Sequence, residues 1–216
     1  MSTETSAAGR AGHSVRLVVL ATVIVLILGA AGWALGRLTA PVTSFPSAAS
    51  PEAGFARDMQ VHHLQAVEMS FLVRDRTEDP EIRQLAYDIA RTQQHQAGQM
   101  YGWLSIWGLP QASPEPAMAW MDEDAGHSSP HDTGQQSTAM PGMATAAQLE
   151  ALTDAEGSEA EQLYLELMIS HHQAGTTMAQ AVLDRTDNEA VRALAQSIAT
   201  SQQTEIRYLE QLLRTR

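Results

Sequence analysis

Two pairs of adjacent histidines, each preceded by a methionine, are the residues of this chain best suited to chemistry. Met59, His62 and His63 occur as MQVHH, and Met168, His171 and His172 as MISHH. Neutral imidazole and thioether are together soft ligands suited to copper, Cu(I) above all. At about 100° per residue, Phe55, Met59, Ala66 and Val73 define one apolar helix face, with His62 and His63 on either side of Met59. Tyr164, Met168, Gly175 and Val182 repeat the pattern around His171 and His172. Polar groups on a buried face need partners. A helical hairpin turning near residue 78 predicts Gln93 beside the first His pair and Gln96 beside Met59. It likewise predicts Gln202 beside the second pair and Glu205 beside Met168. Two readings stay open. One is a metal site drawing on Met59, His62, His63, Met168, His171, His172 and Glu205. The other is a metal-free structural or interaction module, in which a His–Gln layer only fixes helix register.

The elements that must position these residues come from an internal duplication. Shifted by 109 residues, the chain aligns on itself without a gap. Met59, His62, His63 and Met69 fall on Met168, His171, His172 and Met178, and Asp75-Arg76-Thr77 falls on Asp184-Arg185-Thr186. Arg83, Leu85, Ala86, Ile89, Ala90, Gln93 and Gln94 also match their counterparts. Each copy is long enough for one helical hairpin. The first, 54–107, reads as helices near 54–76 and 80–107, with Pro80 suited to a first helical position. The second, 158–213, opens on Ser158-x-x-Glu161 and continues past Thr186-x-x-Glu189, both capping-box patterns. Two such hairpins predict an all-α antiparallel four-helix bundle over 54–216.

Between the copies, residues 108–146 hold Met118, Met121, His127, His131, Met140 and Met143 among acidic, Pro, Gly and Ser residues. This composition reads as a mobile loop outside the bundle, whose removal (112–144) would leave the melting temperature nearly unchanged. His127, His131, Met140 and Met143 are further candidate copper ligands. A plain acidic linker is the competing reading.

Ahead of the bundle, residues 1–16 read as a cytoplasmic tail, 17–37 as a transmembrane anchor and 38–53 as a tether. LVVLATVIVLILGAAGWAL carries no charge and is nearly long enough to span a bilayer core. Arg10 and Arg16 favour a cytoplasmic N-terminus, hence a single-pass membrane protein with an extracytoplasmic C-terminal domain. A cleaved signal peptide competes, but no clean A-x-A site follows. Gly32 and Gly36 form a GxxxG that could serve a homodimer. The net charge of -12 argues against nucleic-acid partners. The absence of Cys excludes disulfides and thiolate sites. No Ser–His–Asp, phosphate-loop or Glu-x-x-His pattern is present, so the expectation is a binding protein, not an enzyme such as a di-iron carboxylate oxidase.

At the His-His motifs the chain resembles the domain of unknown function 305 family. The pattern Met-x-x-His-His-x-x-Ala, then Leu-Ala-x-x-Ile and Gln-x-x-Glu-Ile, reads here as MQVHHLQA, LAYDIA and QQHQAGQM, and as MISHHQAG, LAQSIA and QQTEI. The resemblance implies an exported or membrane-anchored ferritin-like bundle, copper-binding in some members. Gln96 departs from the pattern by standing where Glu205 stands in the second copy, so the resemblance implies a weaker first site if that Glu is a ligand or orients a His.

Overall fold

The computed structural model describes residues 5–39, 45–121 and 140–216, with side chains from Arg16 onward. It divides into two compact units, 1–44 and 45–216. In the first unit, α1 spans Thr5–Thr39, and its segment Arg16–Thr39 is apolar and long enough to cross a membrane.

The second unit is the bundle. Its helices are α2 (Pro51–Arg74), α3 (Pro80–Ile106), α4 (Ala146–Asp154), α5 (Gly157–Leu183) and α6 (Glu189–Leu213). The described residues include no strand. Helices α2 and α3 form one hairpin, α5 and α6 the other, and α2 packs on α5 along the main seam between them. Two apolar clusters fill the interior. One gathers Phe55, Met59, Met100, Leu104, Met178, Val182 and Ile198, the other Met69, Ile82, Ile89, Tyr164, Leu165, Met168 and Leu209.

The hairpin turns repeat the duplication in detail. Asp79 and Asn188 cap α3 and α6, each accepting from two backbone N–H groups, and Pro80 opens α3 as its fixed φ suits. Arg83 donates to the carbonyls of Arg74 and Thr77, and Arg192 to those of Leu183 and Thr186. These guanidinium groups take up backbone acceptors left over at the ends of α2 and α5. The duplication pointed to this arginine pair without revealing its role.

Both expected capping boxes fail, for one reason. Thr77 donates to Glu161, and its duplicate Thr186 donates to Glu52, the residue equivalent to Glu161, at 2.5 Å. Glu161 also accepts from Arg216 at 3.0 Å. These cross-hairpin bonds draw Glu161 away from Ser158 and Thr186 away from the cap. Helix α5 therefore starts at Gly157 with no side-chain cap, and Asn188 replaces Thr186 as the cap of α6.

The loop between the copies is not wholly apart from the bundle, contrary to expectation. Asp58 accepts from Met118 N and Trp120 Nε1, both at 2.8 Å. The Trp120 ring sits over Gly54, where a Cβ would overlap it, and meets Phe55 edge-on at 6.0 Å. Burial pushes the Asp58 carboxyl above its usual range. At the other end, the Gln65 amide donates to the Ala144 carbonyl at 2.9 Å and accepts from Ala144 N at 2.7 Å. Met140 is buried, and Met118, Met121 and Met143 pack against the same cluster. The loop methionines therefore have a packing reason after all, as flexible gap-fillers. Helix α4 was not expected, although its capping box Thr145-x-x-Gln148 is written in the sequence.

Candidate metal centre

His62, His63, His171 and His172 are all 0% exposed. They meet where α2 crosses α5, between the two apolar clusters. The rings of His62 and His171 stack with centroids 3.6 Å apart. His63 and His172 flank them at 6.4 and 6.2 Å from their chain neighbours. His171 Nε2 lies 2.9 Å from the His62 carbonyl oxygen. A residue thus bonds its own duplicate, which places the pair on the pseudo-twofold axis relating the hairpins.

Each outer histidine takes its partner from the second helix of its own hairpin. His63 Nε2 lies 2.8 Å from Gln96 Oε1, and His172 Nε2 lies 2.7 Å from Glu205 Oε2. This corrects the expected register, which set Gln96 and Glu205 beside the methionines and Gln93 and Gln202 beside the histidines. Side chains lean toward the N-terminus of their own helix. In an antiparallel hairpin, α2 side chains therefore lean away from the turn and α3 side chains toward it. Contact joins an α2 residue near the turn to an α3 residue further from it, one helical turn beyond what backbone level alone gives. Gln93 and Gln202 are buried, and neither amide has a hydrogen-bond partner.

The partners decide the tautomers. An amide oxygen, a carboxylate and a backbone carbonyl can only accept, so His63, His171 and His172 each carry the proton on Nε2. Their Nδ1 atoms are then bare lone pairs, buried and without partners. His62 makes no well-aligned bond from either nitrogen, and the one acceptor beside its ring is the Pro141 backbone carbonyl. Burial keeps His62, His63 and His171 neutral. It lowers His62 to about 4 and His63 to about 3, with repulsion from neighbouring histidines adding to both. His171 is lowered well below the usual range for the same reasons.

This donor set fits a soft or borderline cation. Ligating histidines characteristically donate their other N–H to a carboxylate, amide or carbonyl, and three of the four rings are already held that way. Among the described residues no three His, Asp or Glu side chains converge on one point. The set is one of imidazole lone pairs, with a methionine on each helix face, rather than a preformed cage. Met59 and Met168 are fully buried, each one helical turn from the histidines on the same face. Met140 is buried and Met143 partly so, both against the cluster that holds Met59. His127 and His131 lie outside the described residues.

The DUF305 family profile, "Domain of unknown function (DUF305)", matches residues 52–213, the whole of both hairpins. The chain belongs to the DUF305 family. A DUF305 protein of Streptomyces coelicolor, described as secreted, is similar in structure at TM-score 0.70 and 46% identity, over 78% of this chain and 95% of that one. A DUF305 fragment from Deinococcus radiodurans follows at 0.62 and 32%, over 77% and 97%. The third similar structure is CopM in its Cu(II)-bound form, at 0.56 and 23% over 77% and 97%, a likeness of fold. CopM has also been crystallised with Cu(I) and with silver. No curated protein matches the chain.

Proposed function

We propose that this DUF305 protein binds copper, chiefly as Cu(I), through its buried His layer with Met59 and Met168, and buffers or sequesters the metal rather than catalysing a reaction. The observation that carries the reading is the trio of buried imidazoles held through Nε2 by acceptors, with Nδ1 left unpartnered. Cu(I) is content with two or three soft ligands, so it does not require a full cage of His and carboxylate groups. The copper- and silver-bound forms of CopM, a protein of the same fold, support the reading. The apolar segment Arg16–Thr39 fits an anchor that holds the bundle at the extracytoplasmic face of a membrane.

The test uses the full chain in detergent. Cu(I), held under reducing conditions by a chromogenic chelator, should transfer to the protein in preference to Zn(II). At a hundredfold excess over Kd, binding stabilises the fold by about 2.7 kcal/mol, which should raise the melting temperature by roughly 5–10 °C for a domain of this size. His171→Ala/His172→Ala should abolish one class of bound copper and most of that rise. A copper-independent melting temperature in the unmutated protein, with no competition against the chelator, would leave the His layer as a metal-free structural element.

A further inference from the structure

The His layer is nearly symmetric, and its departure with chemical consequence is the partner of each outer histidine. Gln96 and Glu205 occupy equivalent positions in the two copies and make the same bond, to Nε2 of His63 and of His172. Their surroundings are matched. Met59 and Met168 are both fully buried, and Gln93 and Gln202 are both buried without partners. One partner is a neutral amide, the other a carboxylate that reaches in from the solvent edge with its side chain 28% exposed. A second departure lies on the axis. His171 Nε2 donates to the His62 carbonyl, and His62 makes no reciprocal bond to the His171 carbonyl but has the Pro141 carbonyl beside it.

We propose that the two halves are unequal metal sites: Glu205 makes the His171/His172 half the tight one, and Gln96 leaves the His62/His63 half the weak one. The proposal rests on the copper reading above. A carboxylate accepting from Nε2–H pushes electron density toward Nδ1 and offsets part of the incoming positive charge. An amide oxygen holds the ring in the same place but carries no net charge. Exchanging such an outer-shell partner typically changes metal affinity 10–100-fold. Glu205 is here a positioning residue that acts through His172. Unequal halves would let the protein hold one ion firmly and release a second readily.

The experiment titrates the full chain in detergent with Ag(I), a redox-inert probe for Cu(I), and follows imidazole 15N resonances. In the unmutated protein the Nδ1 signals of His171 and His172 should shift first, those of His62 and His63 only after about one equivalent. Glu205→Gln should weaken the first event by about 10–100-fold and erase the order of filling. Gln96→Glu should strengthen the second event by a similar factor. That gain cannot come from damage to the fold, so it keeps the test decisive even if Glu205→Gln folds poorly. If the unmutated protein binds neither Ag(I) nor Cu(I), the copper reading fails and takes this proposal with it. If metal binds but both halves fill together, or neither exchange moves its affinity, only the proposal is overturned.

Discussion

The metal-free protein should lose most of its stability between pH 6.5 and pH 4. In the unfolded chain each histidine binds a proton near its ordinary value of about 6.5. In the bundle His62 holds out to about 4, His63 to about 3, and His171 is also well depressed. The unfolded state therefore binds more protons throughout this window, and stability falls as pH falls through it. The stability that the neutral rings contribute is fully present above pH 6.5 and is lost toward the folded values. Each group contributes about 1.4 kcal/mol per pH unit below 6.5. By pH 4.5 the three together remove on the order of 5–8 kcal/mol, comparable to the whole stability of an ordinary domain. Asp58 works in the opposite direction, since its raised carboxyl is more comfortable protonated. One carboxyl does not offset three imidazoles. Denaturant unfolding of the full chain in detergent at several pH values should show uptake of about three protons on unfolding near pH 5.5. A stability flat from pH 7 to pH 5 would show that the layer is hydrated and not desolvated as described. Bound copper should delay the loss, because it too requires neutral imidazole.

Gly142→Ala should be the most damaging single methyl addition in the bundle, costing about 3 kcal/mol from backbone strain and overpacking together. Gly142 has φ +73°, in the left-handed region. Its Cβ would stand 2.5 Å from Ala174 Cβ and 2.7 Å from the Ser170 carbonyl oxygen, both on α5 beside His171. An α-helix backbone cannot yield, so the segment 140–144 must lift. Lifting it would pull Met140 from the core and break the paired bonds between Gln65 and Ala144. Gly98→Ala serves as the control. Gly98 is exposed on α3 with nothing within 4 Å of the added atom, so that change should stabilise by up to about 1 kcal/mol through helix propensity alone. Equal stability of the two variants would mean that segment 140–144 contributes nothing to the bundle. For the same reason, deleting residues 112–144 should now lower the melting temperature. It would remove Trp120, Met118 and Met140 along with the loop.

The sequence by itself determined the architecture and the four histidines that share one buried layer. Period and duplication are local signals: Met59, His62 and His63 share a face because 3.6 residues make a turn, whatever they pack against. The 109-residue shift paired Met59, His62 and His63 with Met168, His171 and His172 before any contact was known. Tertiary structure alone decided which partners meet. Gln96 and Glu205, not Gln93 and Gln202, reach the histidines, because the lean of side chains along their helices displaces contact by one turn from backbone level. Glu161 and Thr186 left their capping boxes because Thr77 and Glu52, far away in sequence, made better use of them. The loop methionines looked solvated by composition, and only the path of the chain over α2 and α5 buries Met140 and half-buries Met118, Met121 and Met143. The tautomers of His63, His171 and His172 are the last such decision. An imidazole is chemically ambivalent in sequence, and it is the acceptor set against Nε2 by a neighbouring helix that leaves the Nδ1 lone pair free.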